Sequence, residues 1–344
     1  MKSRLKNVST EFHLNIVKSI LKRRLSSSRF FLPLTTTFFI TMRCNLKCTY
    51  CRPILPNTKE LPTDKVLQLI EKIRYKCPGL YISGGEPTLR NDLPIILKRG
   101  KELGFNPLWM ITNAVNIEQR LDCLQYLDYL VVSLDSLDVD KWDKMLGVKG
   151  VAKKIIDNII MISKLQKKYD FTLCINNLIN SETIPDFKDI LAFCNEYDIL
   201  LGPQPIDEWT TLGENLELNE DYVNLLNEIK QMKKNGEKRI IVTNVYLDSI
   251  MKNRFHTCYP TQNPRVYPDG SLLYPCTAYQ KVYGNVLDYP DLYTMLKEAY
   301  KEHNLPECSK KSQKCMINCL IEPAILVDNP FRYATDVIES FSNN

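Results

Sequence analysis

The stretch TMRCNLKCTYCRP, residues 41–53, decides how this sequence is interpreted. It holds Cys44, Cys48 and Cys51 in C-x3-C-x2-C spacing, and none of the three histidines in the chain lies nearby in sequence. Structural zinc is closed by four protein ligands, so three thiolates alone make a poor zinc site. An iron–sulfur cluster bound by three cysteines leaves one iron open to a small-molecule ligand. The spacing therefore favours such a cluster, with a structural zinc knob or a simple electron carrier as the alternative.

Short apolar runs alternate with segments of helical periodicity on both sides of these cysteines. The predicted strands are 35–41, 80–84, 107–112, 129–135, 171–177 and 199–204, and the helical segments between them lie near 63–76, 91–103, 117–126, 150–168 and 185–197. Repeated strand–helix units predict an α/β fold with a parallel sheet. The cysteine loop directly follows the first strand, at the carboxyl edge of the sheet, where ligands collect.

The cysteine triad, with Tyr50 just before Cys51 and a strand before it, closely resembles the signature of the radical S-adenosylmethionine (SAM) superfamily. The second strand ends in SGGEPTLR (83–90), which resembles the segment of that family that contacts the amino group of SAM. The residues that match this segment are Gly84, Gly85, Glu86 and Pro87. The resemblance covers about residues 35–205.

The fourth strand ends in VSLDS (132–136), which resembles the ribose-contacting segment of the same family through Ser133 and Asp135. Asn113 closes the third strand and Asn177 the fifth, and both are candidates for contact with SAM or substrate. Polar residues at this rim are also commonly helix caps or solvated loop groups. Three residues after the sixth strand, Asp207, Glu208 and Trp209, are candidates for the substrate mouth or for a solvated loop.

The resemblance implies a partial (β/α)6 TIM-like barrel that carries a [4Fe–4S] cluster on the cysteine triad. It also implies that SAM chelates the iron that the three cysteines leave open, so SAM supplies the ligand that the chain does not. Reductive cleavage of SAM would give a 5′-deoxyadenosyl radical that removes a hydrogen from an unactivated carbon of the substrate. The barrel would orient the reactants and exclude water.

A second group of cysteines lies near the carboxyl end of the chain. Its members are Cys258, Cys276, Cys308, Cys315 and Cys319. The first two bracket RVYPDGSLLYPC (265–276), a predicted β-hairpin with Asp269-Gly270 at its turn. This arrangement resembles the SPASM and twitch extensions of the superfamily, which implies a small cysteine-rich extension with one auxiliary [4Fe–4S] cluster. The preferred ligands of this cluster are Cys258, Cys276, Cys315 and Cys319, and Cys308 is the doubtful member or a substitute. A four-cysteine zinc site is the alternative.

The remaining four of the twelve cysteines, Cys77, Cys123, Cys174 and Cys194, are scattered and are interpreted as small buried apolar residues. The predicted units are a basic amphipathic helix in 1–30, a core domain in 31–210, a helical linker in 211–255 and the auxiliary region in 256–344. The sequence contains no run of the ~18 apolar residues that a membrane span needs.

The net charge of +5 is concentrated at the amino end, where residues 1–30 carry eight Lys and Arg against Glu11 alone. In 11–25, Leu14, Val17, Leu21 and Leu25 share one helical face. The helix is expected to cover the barrel with this face, and contact with an anionic membrane surface is the alternative. A third explanation of the charge is docking of an acidic flavodoxin or ferredoxin as electron donor. No nucleic acid is expected, because aromatic residues do not interleave with the basic ones.

The sequence leaves three substrate classes open: a peptide or protein side chain, a lipid or isoprenoid, and a small molecule. The tail CMINCLIEP (315–323) is similar to a motif of hopanoid-type radical SAM enzymes, which favours the lipid class. The 43 residues before Cys44 are too few for the leader-binding domain that many peptide modifiers carry. A metal-binding scaffold without catalysis is the non-enzyme alternative. A reduced cluster with an open iron favours the cytoplasm of a cell in a low-oxygen setting.

Overall fold

A computed structural model describes residues 8–206, 220–251, 257–276, 279–303 and 318–342. Within them, one sheet has the strand order β6-β5-β4-β3-β2-β1-β7-β8-β9. The strands are β1 (Thr35–Thr41), β2 (Gly79–Gly84), β3 (Leu108–Thr112), β4 (Tyr129–Ser133), β5 (Thr172–Ile179), β6 (Leu200–Pro205), β7 (Arg265–Val266), β8 (Ser271–Leu273) and β9 (Val282–Asn285). Strands β1 to β6 pair in parallel, in sequence order.

Helices connect the parallel strands and cover the outer face of the sheet. They are α1 (Thr10–Leu25), α2 (Thr63–Arg74), α3 (Leu93–Glu102), α4 (Val139–Leu146), α5 (Ala152–Ser163), α6 (Gln166–Tyr169), α7 (Phe187–Glu196), α8 (Glu220–Lys234), α9 (Asn244–Met251), α10 (Leu292–Glu302), α11 (Asn318–Asp328) and α12 (Pro330–Ser342). The connection between β3 and β4 is a kinked 3-10 helix over Ile117–Tyr126.

The predicted α/β class is confirmed, and each of the six barrel strands lies within two residues of its predicted ends. Side chains along each strand point alternately to the two faces of the sheet. Ile82, Met110 and Leu130 are fully buried under the helices, because successive side chains of a strand point to opposite faces. The sheet is open rather than closed, so the opposite face lines a concave space, which we call the lumen.

Helix α4 was not predicted, although its two ends carry clear signals. The Asp138 carboxylate accepts a hydrogen bond from the backbone N–H of Lys141, and Gly147 follows the last turn in the left-handed conformation with φ +66°. These are the preferred residues for a helix start and a helix end. The helix is short, and Trp142 is fully buried against the barrel.

The predicted hairpin is confirmed, and it extends the barrel sheet. Strand β7 pairs with β1 in parallel, with Thr37 opposite Arg265, and β8 pairs with β7 in antiparallel fashion. At the turn, the Asp269 carboxylate accepts a hydrogen bond from the N–H of Ser271 at 2.9 Å. The C-terminal strands therefore continue the β1 edge.

The segment predicted as a linker, 211–255, contains α8 and α9. Their buried Leu225, Ile229 and Tyr246 belong to the same hydrophobic core as the barrel strands. The four-way division of the chain itself stays a prediction.

Helix α1 is present, but the expectation that its apolar face covers the barrel is wrong. Asn15 and Ser19 are the buried residues of this helix. The Asn15 amide donates hydrogen bonds to the backbone carbonyls of Pro33, at 3.2 Å, and Lys76, at 3.1 Å. Two backbone carbonyls thereby gain a donor, and this polar contact accounts for the face that turns inward.

The four scattered cysteines are buried, as predicted: Cys77, Cys123, Cys174 and Cys194. No helix in the described ranges has the length and apolar character needed to cross a membrane.

Candidate active site

The cysteine loop follows β1 at the carboxyl edge of the parallel sheet. Cys44 and Cys51 are exposed, and Cys48 is half-buried. The backbone N–H of Cys51 donates to the carbonyl of Cys48 at 3.1 Å, which gives a tight turn between the last two cysteines. The pKa of the Cys48 thiol is raised to about 12, mainly by burial and also by repulsion from Cys51 and Cys44. The three thiols therefore influence one another electrostatically.

The two glycines of the GGEP segment allow the end of β2 to approach the start of this loop. The N–H of Gly85 donates to the carbonyl of Thr41, and the N–H of Glu86 donates to that of Arg43, both at 2.8 Å. A Cβ at Gly84 would lie 2.2 Å from the Thr41 oxygen, and one at Gly85 would lie 2.3 Å from the Arg43 oxygen. Only glycine fits such a close backbone approach. These glycines therefore let the end of β2 contact the chain that carries the cysteines, and their contact with SAM stays a prediction.

The C-terminal end of α4 supports the loop from the other side. The backbone N–H of Lys47 donates to the carbonyl of Leu146 at 3.0 Å, and that of Thr49 donates to the carbonyl of Met145 at 2.8 Å. A Cβ at Gly147 would lie 2.4 Å from the Lys47 oxygen. The last carbonyls of a helix have no partner within the helix. Here the cysteine loop supplies their donors, a role for α4 that sequence reasoning missed.

Glu86 ties the end of β2 to the end of β3. Its fully buried carboxylate accepts hydrogen bonds from the hydroxyl and N–H of Thr88, the hydroxyl of Thr112 and the N–H of Asn113, at 2.6 to 3.0 Å. Burial raises the pKa of this carboxyl group, and the four donors oppose that shift. Both oxygens are engaged within the protein, which favours a positioning role. Direct contact of Glu86 with SAM stays a prediction.

Asn113, a candidate from the sequence, lies beside the first cysteine. Its amide donates to the side-chain oxygen of Asn45 at 2.8 Å, and its nitrogen is 3.9 Å from the Cys44 sulfur. Its own side-chain oxygen accepts from the N–H of Val115 at 3.0 Å. The structure thus brings the end of β3 to the cysteine loop.

Tyr50 and Asp135, also candidates, contact each other. The Tyr50 hydroxyl donates to the Asp135 carboxylate at 2.6 Å, and the other carboxylate oxygen accepts from the N–H of Leu178 at 2.7 Å. Burial raises the pKa of Asp135 to about 6, while these two hydrogen bonds lower it. The pair links the cysteine loop to the ends of β4 and β5.

Ser133 and Asn177 lie on different faces of the sheet. Ser133 is half-exposed on the lumen face, opposite Asn176 on β5. Asn177 is fully buried, and its amide donates to the carbonyl of Leu134 at 3.1 Å. Because successive side chains of a strand point to opposite faces, Asn176 rather than Asn177 faces the lumen. The sequence analysis did not select Asn176, although this alternation can be read from the sequence. A ligand contact through Asn177 stays a prediction.

Arg90, at the end of the SGGEPTLR segment, is a buried anchor that the sequence did not single out. Its guanidinium donates to the carbonyls of Ile40, at 2.9 Å, and Leu61, at 3.1 Å, and forms an ion pair with Asp92 at 2.7 Å. The contact with Ile40 fixes the last part of β1 just before the cysteines.

The lumen has an aromatic floor and a polar mouth. Tyr81, Trp109 and Tyr129 occupy the same register level on β2, β3 and β4, and adjacent rings meet edge to face at 5.6 Å between centroids. The indole nitrogen of Trp109 is buried and has no hydrogen-bond partner among the described residues. Nearer the carboxyl edge, the half-exposed lumen positions are Ser83, Ile111, Ser133, Asn176 and Gln204.

The second cysteine group is only partly within the described ranges, because Cys308 and Cys315 lie outside them. Cys258 and Cys276 are half-buried and Cys319 is exposed. The predicted mouth residues Asp207, Glu208 and Trp209 also lie outside the described ranges.

Arg265 of β7 brings a guanidinium nitrogen to 3.8 Å from the Cys319 sulfur. Within the described ranges, no three His, Cys, Asp or Glu side chains, those of Cys44, Cys48 and Cys51 included, are grouped closely enough to hold a single metal ion. The auxiliary cluster therefore stays a prediction.

A parallel partial barrel with three thiols at its carboxyl edge defines a class of cofactor-dependent α/β enzyme. The family model "Radical SAM superfamily" matches residues 38–194. A protein of Methanocaldococcus jannaschii named "Putative glycyl-radical enzyme activating enzyme" is 30% identical over 183 residues, which cover 52% of this chain and 68% of that protein. The chain belongs to the radical SAM superfamily, whose members use a [4Fe–4S] cluster and SAM.

Another relative is named for a different activity. GTP 3′,8-cyclase of Lactiplantibacillus plantarum is 31% identical over 208 residues, 57% of this chain and 60% of that enzyme. The chain thus spans about 60 to 68% of the length of these curated relatives.

Similar solved structures extend over more of the chain. SuiB of Streptococcus suis, bound to its precursor peptide SuiA, has a TM-score of 0.63 at 18% identity and covers 88% of this chain and 74% of SuiB. The enzyme anSMEcpe, with bound AdoMet and a peptide, has a TM-score of 0.58 at 18% identity and covers 90% of this chain and 95% of its own. At this identity the likeness concerns the fold.

Proposed function

We propose that this radical SAM enzyme removes a hydrogen atom from a side chain of a peptide or protein substrate. Cys44, Cys48 and Cys51 would hold the [4Fe–4S] cluster. The observation that carries the proposal is the loop itself, where backbone hydrogen bonds to the end of β2 and to the end of α4 hold the segment with three thiols at the carboxyl edge of the sheet. When bound, the cluster and SAM supply the 5′-deoxyadenosyl radical.

The donor set fits an iron–sulfur cluster. Two of the three thiols are exposed, and the mutual repulsion that opposes ionisation of Cys48 would be relieved by a cationic iron centre. Ser133, Asn176 and Gln204 offer polar groups near the carboxyl edge for the ribose and substrate. The aromatic floor lies below them, and its buried Trp109 N–H has no hydrogen-bond partner among the described residues.

Support for a peptide substrate comes from the extent of the structural likeness. SuiB and anSMEcpe, both described with bound peptides, match 88 and 90% of this chain, so the likeness continues past the barrel into the C-terminal strands. A nucleotide is the second candidate, because the relative with 31% identity is a GTP 3′,8-cyclase. The lipid alternative, which rested on the 315–323 tail, stays a prediction.

The first experiment tests the cluster. We expect anaerobically reconstituted protein to form 5′-deoxyadenosine from SAM under strong reductant, and Cys48→Ala to lose this activity together with about four irons per chain. Cys194→Ala, a change at a buried cysteine away from the loop, is the matched control and should keep both. Full iron content and full activity in Cys48→Ala would rule out the assignment.

The second experiment distinguishes the substrates. Peptides from a deuterated proteome digest, or deuterated GTP, are added separately, and deuterium in 5′-deoxyadenosine is measured by mass spectrometry. Transfer from peptides supports the proposal, whereas transfer from GTP alone replaces it with the nucleotide candidate.

We also propose an auxiliary [4Fe–4S] cluster on Cys258, Cys276, Cys315 and Cys319. Iron content should then be about eight per chain and fall to about four in Cys276→Ala. Four irons in the parent protein would remove this part of the proposal. For the electron donor we propose an acidic flavodoxin or ferredoxin, whose reduction of the enzyme should slow as salt screens the charge on its basic surface.

A further inference from the structure

Helix α1 exposes a continuous apolar stripe to solvent. The stripe consists of Leu14, Val17, Leu21 and Leu25, whose exposed fractions are 49, 50, 55 and 84%. Spacings of three and four residues place them on one side of the helix. We call these four residues the outer stripe. A row of exposed aliphatic side chains on one element indicates an interaction surface.

Polar contacts at both ends hold the helix in this orientation. At its start, the Ser9 hydroxyl donates to the carbonyl of Asn106 at 2.9 Å, and Glu11 forms an ion pair with Arg74 at 2.7 Å. At its end, Arg23 donates to Asp328 and to the hydroxyl of Tyr259, both at 2.8 Å. Rotation of α1 to bury the outer stripe would break these contacts, so the stripe is a fixed feature of the surface.

Basic side chains border the outer stripe on both sides. With 3.6 residues per turn, Lys18 falls on one border and Arg24 on the other, and both are exposed. The whole segment 1–30 contains eight Lys and Arg and a single acidic residue. Aliphatic side chains between basic borders form the pattern of helices that lie in the interface of an anionic bilayer, with the cationic groups among the headgroups.

We propose that the outer stripe docks the enzyme on an anionic lipid bilayer, with α1 parallel to the membrane plane. The four aliphatic side chains enter the boundary between headgroups and acyl chains, while Lys18 and Arg24 remain at headgroup level. The barrel holds the opposite face of α1 through Asn15 and Ser19, so docking needs no rearrangement of the helix. The proposal does not depend on the substrate.

A second copy of the chain is a poorer occupant of this surface. In a symmetric antiparallel pair of α1 helices, the Lys18 border of one copy would face the Lys18 border of the other, and the two Arg24 borders would face each other. In a parallel pair, the Lys18 border of one copy would face the Arg24 border of the other. Either arrangement places like charges next to each other at the border of the contact.

The test is co-sedimentation of the full chain with vesicles. We expect binding to vesicles of phosphatidylcholine with 30% phosphatidylglycerol, and binding at least about tenfold weaker to pure phosphatidylcholine. The double substitution Leu21→Ser and Leu25→Ser should reduce binding by about tenfold or more, because it removes half of the inserted apolar side chains. Lys18→Glu with Arg24→Glu should remove the preference for the anionic vesicles.

Ile95→Ser is the matched control, because Ile95 on α3 is 54% exposed and Leu21 is 55% exposed. This control should bind anionic vesicles like the parent protein. Equal binding by the double serine variant would overturn the proposal. Its failure to bind, with a light-scattering mass equal to the parent's, supports docking on lipid. A parent dimer that this variant converts to a monomer, with no vesicle binding by either, would assign the stripe to a second copy instead.

Discussion

Replacing Gly85 by alanine should remove the cluster while leaving the barrel folded. The new Cβ would lie 2.3 Å from the Arg43 carbonyl oxygen, whereas real Cβ contacts stay beyond 3.0 Å, so the cysteine loop and the end of β2 must separate by about 0.7 Å. That movement lengthens the hydrogen bonds from Gly85 to Thr41 and from Glu86 to Arg43. We expect a loss of about 2–4 kcal/mol from overpacking and the two weakened bonds.

The displacement should affect cofactor binding more than folding, since it acts on the chain between β1 and the first cysteine. The assay compares iron per chain, the spectrum of the reduced cluster and the rate of 5′-deoxyadenosine formation under anaerobic conditions. We expect at least about a tenfold lower rate, because a small displacement at a reacting centre has large kinetic effects. Gly100→Ala, in α3, is the control, since its Cβ would meet only leucine methyl groups, at 3.4 to 3.8 Å. Full iron and an unchanged rate in Gly85→Ala would refute the view that this backbone contact positions the triad.

Three further predictions concern groups around the site. Because burial raises the pKa of Asp135 to about 6, the folded protein keeps a proton that the unfolded chain releases near pH 4, so the contribution of this group to stability is lost as pH rises from about 4 to about 6. Urea unfolding of the cluster-free protein at pH 4.5 and 7 should show this loss, and Asp135→Asn should show a smaller one. Arg90→Met should lower the free energy of unfolding by about 3–5 kcal/mol, since it leaves the carbonyls of Ile40 and Leu61 without their donor and the half-buried Asp92 without its ion pair, and an unchanged urea midpoint would contradict the anchoring role. If the auxiliary cluster is present, Arg265→Gln should lower its reduction potential, because the substitution removes a cation 3.8 Å from the Cys319 sulfur. Spectroelectrochemistry measures this potential, and an unchanged value would show that the contact has no effect.

The strands and the cysteine loop were predictable because their signals are local. Alternating apolar runs indicate strands, and the C-x3-C-x2-C spacing is visible without knowledge of the fold. The face of α1 that packs on the barrel was not predictable. Asn15 is buried because it reaches the carbonyls of Pro33 and Lys76, and the sequence gives no sign that these three residues meet.

The same limit applies within the site. The match to GGEP marked Glu86 as a candidate residue of the site, but it does not show that the four donors to its carboxylate come from Thr88, Thr112 and Asn113, two of them at the end of another strand. Whether a carboxylate faces a ligand or the protein depends on such long-range contacts. Asn176 was not predicted for a different reason. Its strand, β5, was predicted, but the sequence analysis did not assign which of its side chains face the lumen.

The contacts that hold the cysteine loop share a property that bears on how it binds a cofactor. They use mainly backbone groups of Lys47, Thr49, Gly85 and Glu86, whereas the contacts to the Cys44 sulfur are longer, at 3.4 and 3.9 Å. The conformational entropy of ordering the loop is therefore offset by hydrogen bonds within the protein, independently of any iron. A preformed loop of this kind binds its cofactor without a folding cost, in contrast to small metal domains that fold only when the metal is present. It follows that the cluster-free protein should keep its fold and its loop, that the loaded protein should melt higher by the free energy of cluster binding, and that a substitution that loosens the loop lowers cluster affinity first and global stability second.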